Sequence, residues 1–140
     1  MNQPASEEPN PTLIFDTLNA YQRTGALKAA IELKLFTAIG AARTDSTALA
    51  AACGASERGV RILCDYLTVI GLLNKSSDEY SLTSTAAAFL DENSARYMGS
   101  AARFVAADNM MDTFRDVAGA VRRGGTLLPE GGSTKINYEP

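Results

Sequence analysis

The sequence predicts a mainly α fold, a winged helix flanked by long helices, which pairs with a second copy as an intertwined homodimer. Two observations predict the winged helix: short helical patterns that end at Gly54 and Gly71, and a period-two pattern after them. Apolar helical stripes lie on both sides of this unit, and the unit does not need them to form a small core of its own. This surplus of apolar helix predicts the dimer. The domain is expected over residues 11–125, between a disordered tail at 1–10 and a linker at 126–140.

The first helix is predicted to begin at Asn10 and Pro11, since asparagine accepts from the first free amides and proline is tolerated at the first helical position. An apolar stripe follows, made of Leu13, Ile14, Leu18 and Tyr21. After Gly25 a second stripe runs to Gly40, so the region of Gly25 is either a kink or a boundary between two helices. A long stripe near a terminus more often meets a partner than its own chain. The four residues of the first stripe are therefore the predicted dimer interface.

Two capped helices form the predicted helix-turn-helix. Asp45 or Ser46 caps the first helix, which ends at Gly54. Ser56 caps the second helix, which ends at Gly71. A turn of a few residues that holds a glycine is typical of this motif.

The wing is predicted over residues 72–83, where apolar and polar residues alternate with period two around a polar turn. A short helix over 84–90 follows. Two further apolar helical stripes run over 97–105 and 110–121. The second stripe ends at a pair of arginines and a pair of glycines, which suit the last turn and the stop of a helix.

Composition argues against several kinds of function. The chain has no histidine, the commonest general base and metal ligand, so no catalytic residue and no metal site is assigned. No apolar run reaches the roughly 18 residues of a membrane span, and the polar N-terminus does not resemble a signal peptide. A cytoplasmic protein without membrane contact is therefore expected, with Cys53 and Cys64 as reduced thiols.

The charge balance argues against nucleic acid as the favoured partner. Residues 42–90 hold four basic residues against five acidic ones, which leaves one negative charge where DNA binding needs a basic face. Arg61 is expected to pair with Asp65 one turn later. Arg58 and Arg61 can still reach bases, so a winged-helix DNA-binding transcription regulator is one alternative. A stand-alone small-molecule-binding module is the other.

Three segments in this order carry a family resemblance: Ala48–Leu49–Ala50, Leu63–Cys64–Asp65–Tyr66–Leu67 and Tyr80–Ser81–Leu82–Thr83. Together with the helical arm before them, they resemble the dimerisation domain of S-adenosylmethionine-dependent small-molecule O-methyltransferases of the plant caffeic-acid type and their bacterial relatives. The resemblance implies that the complete enzyme binds S-adenosylmethionine in a following Rossmann-like domain that also supplies a histidine base. No strand followed by a glycine-rich turn is found in the sequence. This chain alone is therefore expected to bind no cofactor and to be inactive.

The resemblance also implies that the last helices form the back wall of a pocket for a small aromatic or polyketide-like acceptor. Carried over by position, the wall residues are Phe104, Asn109, Met110, Met111 and Phe114. Thioethers and aromatic rings suit a flat acceptor. The alternative is that the four apolar residues belong to the core and that Asn109 caps a helix. The expected function is that of a dimerisation and substrate-pocket-wall domain.

Overall fold

The computed structural model describes residues 8–124, and these residues form eight helices and one three-stranded antiparallel sheet. The helices are α1 Thr12–Glu32, α2 Leu35–Ile39, α3 Ser46–Cys53, α4 Glu57–Val69, α5 Ser84–Phe89, α6 Gly99–Val105, α7 Asp108–Thr113 and α8 Val117–Arg123. The strands are β1 Thr44–Asp45, β2 Leu73–Ser76 and β3 Glu79–Leu82. The predicted mainly α winged-helix fold is confirmed. The expected linker at 126–140 and residues 1–7 of the expected tail lie outside the described residues.

Helix α1 is continuous through Gly25, which excludes a boundary between two helices at this residue. The Asn10 side chain accepts from the Thr12 amide at 3.0 Å, as predicted, but Pro11 occupies the N-cap position and the helix begins one residue later than expected. The chain turns instead at Lys34, whose φ of 55° is left-handed. Only the second half of α1 reaches the core, at Ala30 and Ile31. The first two thirds of the helix, residues 12–25, are exposed at every position, and we call this part the α1 arm.

The helix-turn-helix is held by the predicted caps. Asp45 caps α3 by accepting from the Ala48 amide at 2.8 Å, and the left-handed Gly54 ends the helix. Ser46 does not serve as the cap; its hydroxyl donates to the Glu57 carboxylate at 2.9 Å and so joins α3 to α4. Ser56 caps α4 by accepting from the amide of the third helical residue.

The wing is a hairpin in which β2 pairs with β3 from Leu73–Leu82 to Ser76–Glu79. The polar turn was predicted over residues 76–79, but its two outer residues belong to the strands, and Ser77 in the remaining two-residue turn has a φ of 60°. Strand β1 was not predicted; its two residues pair with the outer edge of β3, in the order β1-β3-β2. A two-residue strand is too short to show a period-two pattern.

The core lies where α2, α3 and α4 meet the hairpin. Its largest fully buried side chains are Tyr80, Phe36, Leu35, Leu49, Leu67 and Leu73. Cys64 is buried among them, and this burial raises the pKa of its thiol to about 12. Both cysteines are free thiols, and the thiol of Cys64 stays protonated at neutral pH.

A polar contact fastens the wing to α4. The buried Tyr80 donates its hydroxyl to Asp65 Oδ1 at 2.6 Å, and Lys75 Nζ lies 2.8 Å from the same oxygen. Asp65 is therefore paired with the wing, where the sequence favoured a pair with Arg61 on the same helix. The hydrogen bonds from Lys75 and from Tyr80 lower the pKa of the Asp65 carboxyl.

Replacing Asp65 with asparagine should flatten the acid dependence of stability. A carboxyl with a lowered folded-state pKa stabilises the fold above its unfolded pKa near 4, and the stabilisation is lost as the pH falls through the folded value. The Asp65 side chain is 46% exposed, so the effect should not exceed the roughly 1 kcal/mol of exposed ion pairs. Urea unfolding between about pH 7 and pH 3 should show the stability difference between wild type and Asp65→Asn shrinking toward low pH. Asp78→Asn in the wing turn is the control, and equal acid dependence in both variants would contradict the assignment.

Candidate functional site

The predicted interface residues lie on the α1 arm and face away from their own chain. Their exposed fractions are 76% for Leu13, 63% for Ile14, 63% for Leu18 and 65% for Tyr21. Phe15, which the stripe spacing missed, is also exposed. The alternative that these residues pack inside the same chain does not fit their exposure. Their contact with a partner stays a prediction.

The five predicted wall residues lie on three consecutive pieces of chain. Phe104 is on α6, the next three residues are on α7, and Phe114 follows the end of α7. Phe104 and Met110 are half-buried, whereas Met111 and Phe114 are exposed and belong to no core cluster. Asn109 does not occupy the cap position of α7; from inside the first turn its side chain accepts from the Met110 amide at 3.0 Å. The two predicted stripes are thus broken into three short helices, α6 to α8.

A cavity of about 180 Å³ lies between the base of the α1 arm and α6. It is lined by Thr24, Leu27, Lys28, Ile31, Ala102, Arg103, Val105 and Ala106. None of the five predicted wall residues is among these. The volume is below the roughly 300–1,000 Å³ of ordinary small-molecule sites. By itself this cavity does not form the expected acceptor pocket.

An ion pair ties α1 to the helix that carries three of the wall residues. Lys28 Nζ on α1 donates to the Asp108 carboxylate at the start of α7. This hydrogen bond raises the pKa of Lys28 and lowers that of Asp108. The two residues are 80 positions apart, so no local pattern in the sequence could have paired them.

A second groove, of about 310 Å³, lies between the arm and α4. It is lined by Gln22, Ala26, Gly59, Ile62, Leu63 and Tyr66. Ile62 is 55% exposed although it is a large aliphatic side chain. The groove therefore adds apolar surface on α4 next to the apolar surface of the arm.

The face that would meet DNA carries charges of both signs. Arg58 and Arg61 are exposed on α4, and Asp78 and Glu79 are exposed at the wing turn. Within residues 8–124, no three histidine, cysteine, aspartate or glutamate side chains lie close enough to hold a metal ion. In the same part of the chain, no helix combines the length and apolar character needed to cross a membrane.

Known proteins share this arrangement. A family model described as the O-methyltransferase dimerisation domain matches residues 15–92. The 3-hydroxy-5-methyl-1-naphthoate 3-O-methyltransferase of Streptomyces sahachiroi is 35% identical over 96 residues, which are 69% of this chain and 28% of that enzyme.

Solved structures agree with this match. A Nostoc punctiforme protein assigned as an O-methyltransferase superposes with a TM-score of 0.81 at 48% identity, covering 85% of this chain and 36% of that one. Human N-acetylserotonin methyltransferase, solved in complex with S-adenosylmethionine, superposes with a TM-score of 0.73 at 25% identity, covering 87% of this chain and 37% of that one. The chain thus spans well under half of the length of each relative.

Proposed function

Since the chain belongs to the O-methyltransferase dimerisation domain family, we propose that it is the dimerisation and acceptor-wall domain of an S-adenosylmethionine-dependent small-molecule O-methyltransferase. The observation that carries the proposal is the family match over residues 15–92, which takes in most of the α1 arm and the whole winged helix. Each relative continues well beyond the part that this chain matches. The catalytic half of the proposed enzyme is therefore assigned to chain beyond these residues.

Binding of S-adenosylmethionine does not fit the residues that the structure describes. A Rossmann-like site needs a strand, a glycine-rich turn and a helix in succession. The three strands between residues 8 and 124 form only a small antiparallel sheet, in which β2 and β3 are joined by a two-residue turn. The methyl donor is consequently assigned to the catalytic domain of the complete enzyme. The isolated chain is proposed to be inactive.

The proposed partner of the arm is a second copy of the chain. Soluble monomers rarely expose large contiguous apolar patches, and the arm presents five large apolar side chains, each more than half exposed. These are Leu13, Ile14, Phe15, Leu18 and Tyr21. In a two-fold dimer each arm packs on the other protomer through the same surface, so both stripes are buried together.

The wall residues are proposed to face the acceptor in the complete enzyme. Met111 and Phe114 support this, since exposed thioether and aromatic groups are suited to contact a flat ring. The relative from Streptomyces sahachiroi is named for a naphthoate substrate, which is planar and aromatic. A small aromatic or polyketide-like acceptor is therefore the proposed substrate class. Phe104, Asn109 and Met110 are assigned to the same wall by position.

Two measurements on the 140-residue chain test the proposal. Sedimentation at micromolar concentration should give twice the chain mass of 14.8 kDa, and titration calorimetry with S-adenosylmethionine should give no binding heat. The intact mass of the natural gene product should exceed 14.8 kDa by a further domain of about 100 to 200 residues. A monomer, or cofactor binding by this chain alone, would overturn the proposal. A salt-dependent mobility shift of duplex DNA would instead favour the regulator alternative.

A further inference from the structure

Gly25 lies on the apolar face of the α1 arm. Positions Ile14, Leu18, Tyr21 and Gly25 are spaced by four, three and four residues, so they share one face of the helix. This face is opposite to the side on which α1 packs through Ala30 into its own core. Gly25 itself is exposed. The glycine is therefore the last member of the stripe that we assign to the dimer interface.

The conformation and packing of its own chain do not explain this glycine. A glycine inside a helix costs about 1 kcal/mol relative to alanine. Gly40, Gly54, Gly71 and Gly124 have positive φ angles that favour glycine, whereas Gly25 does not. A Cβ atom at Gly25 would meet no atom of the described chain within 4 Å, so crowding inside the protomer does not require it either.

We propose that the α1 arms of two copies of this chain cross at Gly25, backbone against backbone. The inference rests on the proposed homodimer and names the residue of closest approach. Helix axes normally lie 8–10 Å apart, a distance that the contacting side chains set. A glycine on each helix at the crossing allows the axes to approach more closely, and in a two-fold dimer the same residue lies at the crossing in both copies.

The surroundings of Gly25 identify a second copy as the occupant. Beyond Gly25 the same face becomes charged: Lys28 and Glu32 follow at spacings of three and seven residues, with their charged atoms 4.0 Å apart. The apolar surface therefore ends one turn after the glycine. Beside Gly25, the groove that contains Gln22 and Ala26 opens toward the exposed Ile62. An apolar helix that crosses at Gly25 covers this groove, and the arm of a second copy is such a helix.

Substitution of Gly25 tests the crossing because helix propensity and close packing predict opposite results. Alanine and leucine are better helix formers than glycine, so in an uncrowded helix they stabilise α1. At a crossing they separate the backbones: Gly25→Ala should weaken dimerisation by roughly tenfold or more, and Gly25→Leu should give a monomer at the same concentration. Sedimentation equilibrium measures the dissociation constant, and circular dichroism verifies that each variant is folded. Arg23→Leu, at an exposed arm position on the opposite side of the helix from Gly25, is the matched control.

A cysteine at the crossing provides a positive test. A disulfide needs Cα atoms within about 7 Å, a distance that only closely crossed helices provide. Gly25→Cys should therefore form a covalent dimer on mild oxidation, whereas Arg23→Cys, on the opposite side of the helix, should not. If Gly25→Ala and Gly25→Leu dimerise as tightly as wild type and Gly25→Cys does not cross-link, the crossing is overturned and the homodimer stands. A wild-type monomer would overturn the homodimer, and the crossing with it.

Discussion

Leu18→Asp should convert the dimer into a monomer. Leu18 lies in the middle of the exposed stripe of the arm, between Ile14 and Tyr21. In the proposed dimer, an aspartate at this position would bury a charge with no partner on either chain, at a cost of several kcal/mol for each copy. Both copies carry the change, so the effect counts twice in the association free energy. Sedimentation velocity at micromolar concentration should show the mass falling from twice 14.8 kDa to 14.8 kDa.

Asn19→Asp is the matched control for this variant. It adds the same charge one residue further along, at an exposed polar position off the stripe, and should leave the dimer intact. The fold of Leu18→Asp should persist because Leu18 is 63% exposed and belongs to no core cluster. Equal masses for the two variants, both dimeric, would show that the stripe is not the interface.

Phe36→Ala should destabilise the fold more than any of the substitutions considered above. Phe36 is 1% exposed on α2, at the centre of the core between α1, α3 and the hairpin. Truncating a buried phenylalanine removes its transfer free energy and leaves a cavity, which together cost about 3–5 kcal/mol. This is a large share of the roughly 5–15 kcal/mol that stabilises a typical domain. Urea unfolding followed by circular dichroism measures the loss.

The control is Phe114→Ala, which makes the same chemical change at a side chain that is 60% exposed. Its stability should change by no more than about 0.5 kcal/mol. Both variants must be compared at one protein concentration, because formation of the proposed dimer would contribute to the measured stability. A loss below about 1 kcal/mol for Phe36→Ala would mean that α2 is not part of the cooperative core.

Local chemistry made the winged helix predictable from the sequence. The caps at Asp45 and Ser56 and the glycine stop at Gly54 act within a few residues, so the sequence carries the whole signal. At Gly25 the sequence suggested a kink or a helix boundary, because glycine normally weakens a helix. In the structure this glycine lies inside an unbroken helix. The chain instead turns at Lys34, a residue with no preference for a left-handed conformation.

Long-range contacts in the candidate site could not be predicted in this way. The pairing of Lys28 with Asp108 depends on how α7 packs near α1, and the partners of Asp65 depend on where the wing folds back. The break between α7 and α8 is also beyond the pattern, because the apolar residues of the stripe at 110–121 continue a helical spacing through it. The assignment of five residues to the acceptor wall stays a prediction. Their final arrangement depends on packing.

The contact of Lys75 with Asp65 changes what the wing presents to a polyanion. Lys75 is the only cation in residues 72–83, and its charge is compensated by the Asp65 carboxylate at 2.8 Å. Beyond it, the exposed Asp78 lies in the turn and the exposed Glu79 begins β3. A phosphate backbone approaching the hairpin would therefore meet a negative potential and no uncompensated cation of the hairpin that could displace its condensed counterions. In many winged helices this hairpin follows a DNA groove. In this domain its Lys75 and Tyr80 side chains instead bind the Asp65 carboxylate on α4.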